Sequence, residues 1–68
     1  MIISGEDIVL DTQGYQFFYE EDGDLCVIFE DGETYVLFSN LTKMRVKEML
    51  DDIAIALGEG KPYLCLVR

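Results

Sequence analysis

The fold is decided by residues 15–39, which read YQFFYEEDGDLCVIFEDGETYVLFS. Three runs rich in aromatic and β-branched residues, 15–20, 25–29 and 33–39, are separated by Asp22-Gly23 and Asp31-Gly32. Asp-Gly between such runs is a strong hairpin signal, because both central residues of a type I′ turn take a positive φ. The segment therefore predicts an antiparallel meander of three strands.

The register of this meander follows if each Asp-Gly pair forms a two-residue loop. One face of the sheet then carries Phe17, Tyr19, Cys26, Ile28, Tyr35 and Leu37. The other face carries Phe18, Leu25, Val27, Phe29, Val36 and Phe38. An antiparallel sheet with one solvated face normally alternates apolar and polar residues. This meander is instead predicted to have two apolar faces.

The same register places like charges opposite each other beside both turns. Glu21 faces Asp24, and Glu30 faces Glu33. Such pairs destabilise a sheet. A longer loop at either turn would relieve the repulsion, and this alternative stays open.

One amphipathic helix is predicted after the meander. Residues 39–42 offer N-cap side chains, and Gly58 and Gly60 are natural stops at the C-terminal end. Between them one apolar stripe recurs with helical spacing, formed by Val46, Met49, Leu50, Ile53 and Leu57. The helix is expected to cover one face of the meander.

Shorter apolar runs flank these elements. Residues 2–3 and 8–10 predict one or two short strands, with Gln13-Gly14 as the turn into the meander. Lys61-Pro62 restarts the chain as extended structure, and residues 63–67 predict a final strand. The final strand could join either edge of the meander, and a right-handed crossover would place it parallel to residues 33–39. The fold class is α+β, in the order β-β-β-β-α-β, in a single domain over residues 1–68.

The charge balance limits the partners. The chain has 14 acidic and 5 basic residues and a net charge of −9. This field repels phosphate backbones and anionic membranes, so nucleic acid and membrane are not expected as partners. It favours a basic protein, or it serves solubility alone. The N-terminus lacks the pattern of a signal peptide, and a cytoplasmic location is expected.

Groups that could carry chemistry are scarce. The sequence has no histidine, and Cys26 and Cys65 lie inside apolar runs without CxxC spacing, which predicts buried free thiols. Ser39 is interpreted as a helix cap. The acids of the two turns lack the EF-hand pattern. No catalytic, cofactor-binding or metal-binding residue is predicted, and the chain is not expected to be an enzyme.

The helix has an unusual charge order. Lys43, Arg45 and Lys47 lie in its first turns, although the helix dipole favours acids there. Pairing with carboxylates of the sheet would explain these cations. A basic contact spot on an otherwise acidic protein is the functional alternative.

Two hypotheses for function follow. A chain this short has a small core, so an uncovered apolar sheet face predicts a binding module that forms a homodimer. The face assigned to the partner is that of Phe18, Val27, Phe29, Val36 and Phe38, unless a terminal segment folds over it. In the alternative, the chain is an acidic decoy that inhibits a basic nucleic-acid-binding protein. Carboxylates of the turns would then imitate phosphates, with Glu21, Asp22, Asp24, Asp31 and Glu33 as the contact residues.

Overall fold

Six strands and one helix make up the computed structural model, which describes all 68 residues. The strands are β1 (Ile2–Ser4), β2 (Val9–Asp11), β3 (Tyr15–Glu21), β4 (Asp24–Phe29), β5 (Thr34–Phe38) and β6 (Tyr63–Cys65). Helix α1 (Lys43–Gly58) lies between β5 and β6. The predicted α+β class with an antiparallel meander is confirmed, although the chain has six strands where five were predicted.

The strands form two sheets of three. The meander has the order β3-β4-β5, and the second sheet has the order β2-β1-β6. The predicted place of the final strand is wrong, because β6 pairs in parallel with β1, where Ile3 lies opposite Leu64. The edge of β5 is partly occupied: the Glu6 N–H donates to the Leu37 carbonyl over 2.8 Å.

The first hairpin forms as predicted. Asp22 and Gly23 have φ values of 50° and 84°, and Glu21 lies opposite Asp24. This is the two-residue turn with positive φ at both central residues. The Gly23 N–H donates to the Glu20 carboxylate over 2.7 Å, and this bond holds the tip together despite its like charges.

The second turn differs from the prediction by one residue. The Gly32 N–H donates to the Phe29 carbonyl, and the Phe29 N–H donates to the carbonyl of Glu33 over 2.8 Å. Residues 30–32 therefore form a three-residue loop with Gly32 at a φ of 91°. The longer loop removes Glu30 from its place opposite Glu33. It also shifts the register, so that Cys26 pairs with Val36 and not with Leu37.

A β-bulge at Leu37 compensates for this shift. Beyond the bulge Leu25 pairs with Phe38, as the two-residue loop had predicted. Leu37 and Phe38 are consecutive residues, yet both are buried. Gly5 packs against the bulge so closely that an added Cβ would lie 2.6 Å from the Leu37 carbonyl oxygen. The bulge thus joins the meander to the N-terminal segment.

Helix α1 covers one face of the meander, as predicted. It begins after Thr42, whose hydroxyl accepts the Arg45 N–H over 3.1 Å, so the N-cap is Thr42 and the interpretation of Ser39 as the cap is wrong. Its buried residues are Val46, Met49, Ile53 and Ala56. The core cluster combines helix, meander and terminal strands, through Ile3, Leu25, Leu37, Phe38, Val46, Met49, Ile53 and Leu66.

Candidate interaction surface

The helix covers the face that the sequence had assigned to a partner, and this assignment is corrected. Val27 and Phe38 are fully buried, and Phe18 packs against the core cluster. Phe29 is half-buried, and its ring lies 5.6 Å from that of Tyr35. Of the five apolar residues predicted to bind a partner, Val36 alone is exposed.

The physical reason is the combined effect of the three-residue loop and the bulge. The longer loop moves Val36 into the row of Cys26, on the opposite side of the sheet. The bulge then returns Phe38 to the row of Leu25, on the helix side. The terminal segments do not fold over the other side of the meander. Ile3 of β1 and Leu66, which follows β6, pack into the core cluster on the helix side.

The uncovered side of the meander is here called the open face. It consists of the rows Phe17–Ile28–Thr34 and Tyr19–Cys26–Val36, none of whose residues belongs to the core cluster, and it ends at the first turn in the acidic row Glu21–Asp24. Phe17 is 51% exposed and Val36 is 49% exposed. The ring of Phe17 contacts that of Tyr19 edge-on, with 5.7 Å between centroids. An apolar patch of this kind on a rigid sheet is suited to contact another protein.

Cys26 lies in the middle of the open face but is shielded by its neighbours. Its exposure is only 3%. Burial raises the pKa of the thiol, and the carboxylates of Asp24 and Glu21 raise it further. The thiol therefore stays protonated at neutral pH and is a poor nucleophile. Its role on this face is that of a small apolar residue.

Cys65 departs from the prediction of a buried thiol. Both cysteines are free, as expected, but Cys65 is exposed. In the short strand β6 successive side chains point to opposite sides. Leu64 and Leu66 point inward to the core, and Cys65 points outward.

The predicted acidic contact residues lie at the two ends of the meander and form two separate groups. Glu21, Asp22 and Asp24 flank the first turn, and Asp31 and Glu33 flank the second. None of the five makes an ion pair. Four of the chain's 14 carboxylates pair with a cation, so ten carry uncompensated charge.

The helix cations do not pair with the sheet, contrary to the structural explanation offered above. Arg45 pairs with Glu48 one turn along the same helix, over 3.5 Å. Lys43 and Lys47 make no ion pair. Sheet carboxylates therefore do not account for the basic first turns of α1.

A groove between β3 and α1 was not predicted from the sequence. It has a volume of about 440 Å³ and lies beside the outer edge of β3. Its walls are Tyr15, Gln16, Phe17 and Phe18 from the strand, and Leu50, Ile53, Ala54 and Leu57 from the helix. A second β-bulge, at Gln16, brings Tyr15 to the helix side, where its ring lies 5.1 Å from that of Phe18. The sequence gives no sign of this bulge.

The remaining chemistry of the chain is limited. No three carboxylate or thiol groups come together in a way that could hold a metal ion. Helix α1 is too short and too polar to cross a bilayer. Comparison of the chain with protein-family models, curated protein sequences and solved structures gave no match.

Proposed function

We propose that the chain is a non-enzymatic protein-binding module that self-associates through the uncovered side of the meander. The observation that carries this proposal is the apolar composition of the open face. Phe17 and Val36 are each about half exposed, on a sheet whose other face already holds the core. Removal of apolar surface from water is the dominant favourable contribution in most protein–protein association.

A second copy is the partner that best fits a chain of this size. A core in so short a chain seldom supplies more than about 3–5 kcal/mol of stability. Association with another copy would bury apolar side chains of the open face on both chains at once, because a two-fold interface uses the same patch on each. Homodimers with this symmetry are the commonest soluble oligomers.

A charge placed on the open face tests the proposal. Phe17→Glu is compared with Tyr63→Glu, since Phe17 and Tyr63 are both 51% exposed aromatic residues in strands, and Tyr63 lies in the other sheet. We expect sedimentation velocity to detect a dimer for the wild type and for Tyr63→Glu, and a monomer for Phe17→Glu. A wild type that stays monomeric, or two variants that dissociate equally, would contradict the proposal.

The second candidate function is the acidic decoy, and ten uncompensated carboxylates favour it. Here the turns would occupy the nucleic-acid groove of a basic protein. The chain should then displace labelled double-stranded DNA from such a protein, and a variant carrying Asp24→Asn and Asp31→Asn should displace it less well. Equal displacement by both chains, or none, would argue against this function.

We also propose that the module works in the cytoplasm. Both thiols are free, and Cys65 is exposed. Free thiols persist in a reducing compartment, whereas oxidising compartments favour disulfides. Expression with a fluorescent fusion and cell fractionation would test the location, and recovery in a secreted fraction would contradict it.

A further inference from the structure

The outer edge of β3 is an unpaired edge strand. The one strand that pairs with β3 is β4. Antiparallel pairs alternate between bonded and non-bonded rows, starting here with the bonded row Glu21–Asp24 at the turn. The backbone groups of Tyr19 thus point to β4, and those of Phe18 and Glu20 point away from it. No other segment of the chain bonds to Phe18 or Glu20 through the backbone.

The middle of this edge lacks the usual protection against pairing. Natural edge strands are commonly blocked by charged side chains, above all lysine, by proline or by a bulge. Strand β3 contains neither lysine nor proline, and its two charged residues, Glu20 and Glu21, lie at the end next to the first turn. Its bulge lies near one end, at Gln16, so residues 17–20 remain a regular edge.

The sequence of this edge is complementary to itself in the antiparallel direction. Phe18 is flanked by the aromatic residues Phe17 and Tyr19, and these are flanked in turn by the polar residues Gln16 and Glu20. Antiparallel pairing about Phe18 places Phe17 opposite Tyr19 of a second copy. It also places Gln16 opposite Glu20 of that copy, where the amide can donate to the carboxylate. In-register parallel pairing would instead set Glu20 against Glu20, which is unfavourable.

The groove between β3 and α1 can hold the Phe18 side chain of the second copy. Phe18 lies on the helix side of β3, beside Leu50 and Ala54 of the groove. Residues in a bonded antiparallel row have their Cα atoms about 5.5 Å apart. The Phe18 side chain of a second copy would therefore stand beside Phe18 and against the apolar helix wall. A second copy accordingly pairs with the backbone edge and fills the groove, and its Gln16 amide meets Glu20 Oε1, since Glu20 Oε2 already accepts the Gly23 N–H.

From these observations we infer that two copies join through the edge of β3, antiparallel about Phe18. The product is one six-stranded sheet, in which each Phe18 enters the groove of the other copy. The two open faces become neighbours, with Phe17 of one copy beside Tyr19 of the other. This inference rests on the proposed self-association and places its contact at the β3 side of the open face, where Phe17 and Tyr19 lie, while Val36 on β5 stays outside the contact.

Charge changes at Gln16 test the geometry, with Gln13 as the matched control. Both glutamines are exposed, but Gln13 lies in the turn before β3. Gln16→Glu sets a carboxylate against Glu20 at two symmetric positions, so we expect the dimer dissociation constant to rise about tenfold. Gln16→Lys should lower the constant, and Gln13→Glu and Gln13→Lys should leave it within about threefold of the wild type. Adding Glu20→Gln to Gln16→Glu exchanges the amide and the carboxylate across the pair and should restore the dimer, because the glutamine oxygen can still accept the Gly23 N–H at the turn.

Amide exchange provides a second measurement that needs no variant. The Phe18 and Glu20 amides should exchange rapidly in dilute solution and become protected as the copies associate. Val36→Lys serves to distinguish face-to-face packing from edge pairing, because Val36 lies on β5, away from the β3 edge. Suppose that Val36→Lys raises the dimer dissociation constant, whereas Gln16→Glu and Gln13→Glu change it by the same amount. That result would overturn the edge inference and leave the proposed function standing. A chain that is monomeric at every concentration would overturn both.

Discussion

Alanine in place of Gly23 should destabilise the chain far more than alanine in place of Gly32. The two glycines follow aspartate in the two turns of the meander and have nearly equal φ values, 84° and 91°. Their surroundings differ. A Cβ at Gly32 would meet nothing within 4 Å, whereas a Cβ at Gly23 would lie 2.5 Å from the Leu41 carbonyl oxygen. The pair therefore separates the cost of the backbone conformation from the cost of the contact.

The expected magnitudes follow from these two contributions. Placing alanine at a positive φ costs about 1 kcal/mol, and Gly32→Ala incurs this cost alone. At Gly23 the segment of Leu41 must also move, which breaks the bond from the Leu41 N–H to the Gly23 carbonyl. Loss of that bond adds about 1 kcal/mol, and displacement of the adjacent Thr42 cap adds about 1 kcal/mol more. Gly23→Ala should cost about 3 kcal/mol in total.

Urea unfolding followed by circular dichroism measures both costs. With a slope near 1 kcal/mol per M, as expected for so small a chain, the midpoint should fall by about 1 M for Gly32→Ala and about 3 M for Gly23→Ala. All chains must be compared at one concentration, because self-association adds to apparent stability. Equal midpoints for the two variants would refute the role given to the contact with Leu41.

Three further predictions follow from charge and burial. In the native chain a thiol reagent should modify Cys65 rapidly and Cys26 only after unfolding, because Cys26 is 3% exposed and its pKa is raised; two fast thiols would contradict this. Arg68 donates to the Glu6 carboxylate and lowers its pKa. The wild type should therefore have a higher free energy of unfolding than Arg68→Met at neutral pH, and this difference should shrink as the pH falls below 4.5. A difference that grows in acid would contradict this prediction. Added salt should strengthen self-association, since each copy carries a charge of −9, but should weaken binding of a basic protein; sedimentation in a salt series would show the sign.

The elements that local sequence controls were predictable. The helix begins at the Thr42 cap and presents the expected stripe to the core, and Asp22-Gly23 forms the expected turn. Asp31-Gly32 was misread because a glycine with positive φ closes both two-residue and three-residue loops. The repulsion between Glu30 and Glu33 was the signal for the longer loop.

The identity of the uncovered face depended on contacts between distant parts of the chain. The bulge at Leu37 forms where Gly5 and Glu6 meet β5, and these two residues lie near the N-terminus, far from β5 in the sequence. The alternation of residues within a strand does not reveal a contact with a distant segment, so the predicted register placed Val36 on the wrong side of the sheet. Likewise, β6 pairs with β1, and the residue types of β6 alone did not distinguish the edge of β1 from the edges of the meander.

The molecular mass in solution tests the central claim most directly. Sedimentation equilibrium of the wild-type chain should give a weight-average mass that rises with concentration from 7.8 kDa toward twice that value. A mass that stays at 7.8 kDa up to high micromolar concentration would contradict self-association through the uncovered side of the meander.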